Sequence, residues 1–310
     1  MVRQEFTFLS ADGVTQLHTV LWLPEGEVRA VLQLIHGVAE YILRYEPLAD
    51  FLTGHGFAVV GHDHVGHGLS VAEGAPRLYF GPRGSWDWVV EDVRTLQTET
   101  RRRFPGVPYF ILGHSMGSFL LRTYLARHPG TVDGAIIMGT AHMSAFALAA
   151  AKLFADWQIH TVGEKNPSPA VTKLSFGAYN RKFAPNRTPY DWVTLSRATV
   201  DAYVTDPMCG ENPSIGLFRE MLDGMAFMGR PENIRRMDAN LPVIFLSGAM
   251  DPVGSCGKGV KKACQLFRQN GMKQVSMKLY PQLRHEILNE DCREDIFRDI
   301  LGWLTEQLPV

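Results

Sequence analysis

The sequence is short of the features that would assign it to a special class. It holds four cysteines in 310 residues, Cys209, Cys256, Cys264 and Cys292. No two of them make a C-x-x-C pair, which excludes a zinc ribbon and a thioredoxin motif. Scattered thiols of this kind predict reduced cysteines and a cytoplasmic location. Neither charge sign dominates: 31 Lys and Arg stand against 32 Asp and Glu, a net charge of −1. Without a basic footprint, nucleic acid is not an expected partner. No apolar run approaches the roughly 20 residues that span a bilayer, so stable membrane insertion is not expected either. The longest apolar stretch, residues 145–151, stops at Lys152. The opening MVRQEFTFLSADGV lacks the apolar centre of a secretion signal. Internal repeats and low-complexity tracts are missing as well.

What remains is the composition of an ordinary globular protein, 45% hydrophobic and 20% charged. Residues 4–9 and 16–23 read as two strands around Ala11-Asp12-Gly13, a hairpin. Residues 30–35 (AVLQLI) and 57–61 (FAVVG) are short, β-rich and apolar on both faces, as buried parallel strands are. Residues 45–54 have helical spacing between them. Ser85 is placed to cap a helix over 86–104, which Pro105-Gly106 ends. A strand over 108–112, a helix over 116–127 and a buried strand over 132–138 follow. Alternation then stops, and residues 142–230 are rich in aromatics, Met and Pro. It resumes with strand 241–246, helix 256–270, strand 274–280 and helix 293–307. The expected fold class is α/β, with a mostly parallel central sheet and helices on both faces. Its core runs over 1–141 and 231–310, split by an inserted unit at 142–230.

Two stretches compete for the chemistry. In GHDHVGHGLS, residues 61–70, His62, His64 and His67 fall within six residues beside Asp63. Imidazole and carboxylate are the usual ligands of catalytic zinc. His-x-His-x-x-His also resembles the first metal cluster of the metallo-β-lactamase-like hydrolases, and His114, Asp133 or His142 would have to complete such a site. That family carries an Asp before the third His, where this sequence has Gly66. Neither a metal nor another cofactor is therefore expected.

The second stretch is Gly113-His114-Ser115-Met116-Gly117, a G-x-S-x-G match between an apolar strand and a helix. That context marks a nucleophile elbow, in which small residues on either side let the chain turn sharply and lift the Ser115 hydroxyl clear. A serine at neutral pH needs a base, and the base needs an orienting group. Asp251 follows the strand over 241–246, and His285 follows the strand over 274–280. Both then sit at the carboxyl edge of the sheet, where catalytic groups of open α/β sheets gather. The other strand end that might offer an acid reads Thr140-Ala141-His142 and has no carboxylate. An oxyanion hole is expected from the amides of Met116 and Val38, the latter in the loop Ile35-His36-Gly37-Val38. His36 is expected to pack below that loop and bond its backbone.

With these residues in view, the sequence resembles the monoacylglycerol lipase and lysophospholipase branch of the α/β-hydrolases, a group also called serine aminopeptidase S33-like. The stretches that carry the likeness are HGVAEYILRYEPLADFL, GHDHVGHGLS, FILGHSMGSFL, LSGAMDP and YPQLRHEILNE. The resemblance implies an α/β-hydrolase fold with 142–230 as a helical cap, and Ser115, Asp251 and His285 as its triad. Glu40 and Arg44 match the pattern HGxxExxxRY and are implied near the alcohol side of a substrate pocket. Leu288 stands where the lipase has a second histidine near glycerol. Asp63, Gly66, Gly68 and Ser70 match D-x-x-G-x-G-x-S, a signature of the family that makes the three histidines scaffold.

The expected activity is hydrolysis of carboxylic esters of hydrophobic acyl groups through an acyl-enzyme. Monoacylglycerol-type, lysophospholipid-type and small esters are the expected substrates. Phe146, Leu148, Leu153, Phe154, Trp157, Met221, Met225, Phe227 and Met228 are offered as an adaptable apolar lining, and the cap is open to transient lipid contact. A rival reading keeps the triad but removes N-terminal residues, as proline iminopeptidases do. Its amine anchor would come from Glu164, Asp191 or Asp201.

Overall fold

The computed structural model describes residues 1–174 and 176–309. Eight strands form one sheet: β1 (Val2–Leu9), β2 (Gln16–Leu23), β3 (Ala30–Ile35), β4 (Phe57–His62), β5 (Tyr109–His114), β6 (Gly134–Met138), β7 (Val243–Gly248) and β8 (Val275–Tyr280). Their order is β1-β2-β4-β3-β5-β6-β7-β8. β1 and β2 make the expected hairpin, with Leu9 opposite Gln16. β2 runs antiparallel to β4, and every pairing from β4 to β8 is parallel.

Strict side-chain alternation in a strand sorts these apolar runs into two cores. Val31 and Ile35 of β3, with Tyr109 and Ile111 of β5, face one core. Ala30, Leu32 and Leu34, with Phe110 and Leu112, face the other. Helices α2 (Ser85–Arg103), α3 (Met116–Arg127) and α10 (Lys258–Gln269) close the first core. Helices α1 (Glu46–Thr53) and α11 (Arg293–Glu306) close the second. Both faces are covered, which is why the central strands read as continuous hydrophobic runs.

Between β6 and β7 the chain forms the helices α4 (Ala145–Val162), α5 (Pro169–Leu174), α6 (Phe176–Tyr179), α7 (Arg197–Thr205), α8 (Ile215–Met228) and α9 (Pro231–Ile234). α8 packs on α3 and on α4, so the insertion rests on the helix that follows Ser115.

One expected cap is overturned. Ser85 lies inside α2, its side chain makes no capping bond, and its buried Oγ has no partner. Gly84 takes the N-cap position at φ 96°, a backbone that glycine adopts readily. The orphan amides of the helix start are satisfied from the insertion instead: Gly84 and Trp86 donate to the Glu220 carboxylate at 3.0 and 2.8 Å.

Candidate active site

Ser115 follows β5 and opens α3 with φ 53° and ψ −120°. An L residue rarely adopts that backbone, and holding it costs about 1–3 kcal/mol. The surroundings over-determine it. The Ser115 amide donates to Met138 of β6 at 3.0 Å, and Ser118 donates back to the Ser115 carbonyl. A Cβ on Gly117 would lie 2.0 Å from the Ile35 carbonyl oxygen, so only glycine lets α3 approach the end of β3.

Asp251 follows β7 and is fully buried. Its Oδ2 accepts from His285 Nδ1 at 3.0 Å and from Ser247 Oγ at 3.3 Å, while Oδ1 accepts from the Val253 amide at 2.9 Å. With Nδ1 donating to Asp251, the Nε2 of a neutral His285 is left as the basic atom. Ser115 and His285 line one cavity of about 540 Å³. Its apolar wall includes Phe119, Met143, Phe218, Met221 and Met225. The lining also carries polar groups, among them Glu40, Glu286 and Tyr190. A cavity of this size with few convergent polar groups suits an amphipathic small molecule.

The loop after β3 runs beside the serine: a Cβ on Gly37 would meet the Ser115 Cβ at 3.1 Å. The Gly37 amide donates to Glu40 Oε1 at 2.6 Å and is thereby occupied. The next residue, Val38, lines the cavity. Met116 is the first residue of α3, so its amide is among those without an intrahelical partner.

Glu40 and Arg44 meet in a buried network. Arg44 donates to Glu40 Oε2 at 2.9 Å and grips Glu286 with both ends of its fork, at 2.7 and 2.6 Å. Tyr45 donates to Glu40 Oε1 at 3.0 Å, where His114 Nδ1 also lies at 3.1 Å. Burial opposes the charge on Glu40, but the His114 and Arg44 contacts outweigh it and hold its carboxyl below the usual range. Burial likewise opposes charge on His114, and Glu40 raises its basicity in spite of it. Glu40 and Glu286 line the cavity, whereas Arg44 is not part of its wall. The sequence reading weighed His114 only as a metal ligand and gave Glu286 and Tyr45 no role in the site. Glu286 adjoins His285 and His114 adjoins Ser115, so adjacency was the available signal.

The histidine-rich loop has another job. His36 bonds Gly37 O through Nδ1 at 2.7 Å, and its Nε2 accepts the His64 amide at 3.0 Å. His64 Nε2 returns a bond to the His36 carbonyl, and His67 Nδ1 bonds Val65 O. All four imidazoles, including His62, are buried, and burial lowers their basicity, to about 3 for His62 and His67. Among the described residues no group of three His, Cys, Asp or Glu is arranged to hold a metal ion. Asp133 lies just before β6, at the opposite sheet edge, paired with Arg101 and the Tyr109 amide. Asp63 accepts from the Ile42 and Leu69 amides at 2.7 and 2.9 Å and from His18 at 3.0 Å. It ties two loops and the hairpin together. Gly68 is required beside it, because a Cβ there would sit 2.2 Å from Asp63 Oδ2.

A nucleophile elbow, a His–Asp pair and a shared cavity on one sheet edge describe a serine hydrolase. The family model for serine aminopeptidase S33 matches residues 26–292. The chain belongs to that family. Its likeness to curated proteins extends over nearly the whole length. It is 28% identical to a monoacylglycerol lipase of Mycolicibacterium smegmatis, over 99% of this chain and 98% of that one. It is 27% identical to human monoglyceride lipase, over 96% and 89%. Among solved structures, a thermostable carboxyl esterase from Bacillus coagulans, in complex with glycerol, matches all of both chains with a TM-score of 0.92 and 27% identity. The fold is that of the α/β-hydrolases, and the relatives support ester hydrolysis over peptide cleavage.

The insertion corrects two expectations. Of the nine residues offered as lining, Met221 and Met225 line the cavity. Phe146, Leu153 and Trp157 of α4 instead face outward, at 86, 73 and 58% exposure. The three candidate amine anchors are engaged elsewhere: Glu164 accepts from Tyr79, Asp191 caps Thr188, and Asp201 pairs with Arg187. None of them lines the cavity.

Proposed function

We propose that Ser115, His285 and Asp251 hydrolyse esters of hydrophobic acyl groups, of the monoacylglycerol, lysophospholipid or small-ester kind. The observation that carries this reading is the His285–Asp251 pair at 3.0 Å in a cavity shared with Ser115. Ser115 Oγ attacks the acyl carbon, and His285 Nε2 takes its proton. Asp251 keeps the ring oriented and stabilises the imidazolium. The oxyanion rests on the Val38 and Met116 amides; occupation of the Gly37 amide by Glu40 favours Val38 as the donor. His285 returns the proton to the departing alcohol, then activates water to release the acid.

The apolar wall suits the acyl chain, and the side bearing Glu40, Glu286 and Tyr190 suits the alcohol. Glu40 and Arg44 shape that side as a frame rather than by contact from Arg44. Residues 142–230 act as the cap, and the outward face of α4 offers transient contact to lipid aggregates.

A fluorophosphonate probe tests the nucleophile: peptide mapping is expected to find it on Ser115, with Ser115→Ala unlabelled. Folded parent protein that resists the probe overturns the assignment. Esters of graded chain length are expected to turn over, and aminoacyl-naphthylamides to stay inert. The reverse preference would restore the aminopeptidase reading.

A further inference from the structure

The ring of His285 packs beside two other rings. His114 flanks it at 4.8 Å between centroids and 41° between planes. Trp192 of the insertion flanks it at 5.3 Å and 39°. Trp192 is itself held. Its amide donates to Asn180 Oδ1 at 2.9 Å, Tyr179 packs on its indole at 5.0 Å, and it is 7% exposed.

The backbone around Trp192 grips the residues on both sides of His285. The Glu286 amide donates to the Val193 carbonyl at 2.8 Å. The Arg284 guanidinium donates to the carbonyls of Asp191 and Thr194, the latter at 3.2 Å. Farther along, the Leu195 amide donates to the Glu290 carboxylate at 3.0 Å. Residues 191–195 therefore form a splint along the histidine loop. They arrive there from the insertion, about a hundred residues away in sequence.

We propose that Trp192 is a positioning residue for His285. It rests on the triad reading above. His285 must present Nε2 to Ser115, carry a proton briefly and give it up. An indole packed at 5.3 Å beside the imidazole opposes swinging of the ring, and an aromatic ring at that distance attracts the positive charge His285 carries while it holds the transferred proton. Asp251 fixes Nδ1 at one end, and Trp192 lines the cavity together with His285.

The test compares Trp192→Leu, which keeps bulk and apolarity, with Trp192→Phe, which keeps an aromatic face. The substrate is p-nitrophenyl acetate, whose acyl group is too small to need the far wall. Trp192→Leu is expected to lose about tenfold in kcat with KM within threefold of the parent. Trp192→Phe is expected to recover most of the loss, with both variants showing the thermal transition of a folded protein. A kcat for Trp192→Leu within twofold of the parent overturns the proposal. So does an equal loss in Trp192→Phe, because the aromatic face is then not what matters. Fluorophosphonate mapping of the parent separates the two readings: no label on Ser115 rejects the triad itself, whereas a labelled parent with an indifferent Trp192 rejects only the positioning role.

Discussion

At the scale of single residues, the site is built from side chains that the backbone cannot spare. Gly117 admits no Cβ, since the Ile35 carbonyl already occupies its place. Gly117→Ala is expected to displace α3 from β3, abolish esterase activity and lower the thermal midpoint. Asp251→Asn should leave the fold intact but present the wrong hydrogen-bonding pattern to His285. A fall in kcat of about 10⁴ is expected from the triad precedent, read in steady-state ester hydrolysis. Glu40 collects the Gly37 amide, the Tyr45 hydroxyl and the charges of Arg44 and His114. Glu40→Gln leaves Arg44 with Glu286 as its ionic partner and removes the carboxylate beside His114, and losing a charge-assisted bond of this kind costs about 1.5–3 kcal/mol, measurable by urea unfolding. The sequence named Ser115, Asp251 and His285 because each follows an apolar strand in a fixed chain order. It could not show that Arg44 would be spent on Glu286, which lies 242 positions away.

At the scale of elements, the insertion is wired into the core rather than laid over it. Glu220 of α8 caps α2, a service the sequence assigned to Ser85. Glu220→Ala leaves two amides of the helix start without their acceptor, which costs about 1–3 kcal/mol. A lower thermal midpoint with little change in kcat is expected. Ser85 misled because a serine beside an apolar periodicity is a good local signal, and a carboxylate from a distant helix leaves no local trace. α4 shows the same limit. Its composition marked it as apolar, but helical spacing alone cannot say whether an apolar stripe faces inward. Phe146, Leu153 and Trp157 share its outward side. Changing all three to Ser is expected to reduce turnover of emulsified long-chain esters while sparing soluble p-nitrophenyl acetate.

For the whole molecule, the four buried imidazoles set the response to acid. Burial holds His62 and His67 down to about 3, and His36 and His64 below their usual value. The unfolded chain binds protons at these positions near pH 6.5, whereas the folded one does not. Their contribution to stability is therefore present above about pH 6.5 and is lost as the pH falls, by up to about 1.4 kcal/mol per unit for each histidine. Asp92 works the other way: burial pushes its carboxyl up to about 7, so the folded form binds a proton that the unfolded one releases. His18, His114, Glu220 and Glu290 are raised as well and act with Asp92, but the deep lowering of His62, His64 and His67 outweighs them, and the thermal midpoint is expected to drop from pH 6.5 to 4.5. His62→Phe, which removes one titrating ring, should make that drop shallower.

The sequence by itself determined the strands of a mostly parallel sheet, the glycine-flanked turn at Ser115 and the chain order of the proposed nucleophile, acid and base, because those are written in local periodicity and in residues at strand ends. Only the tertiary structure decided the outward side of α4, the true cap of α2, the closed Glu40–Arg44–Glu286 network and the packing of Trp192 beside His285. Each of these is a contact between distant segments, and strand and helix periods carry no information about which distant partner a side chain will meet.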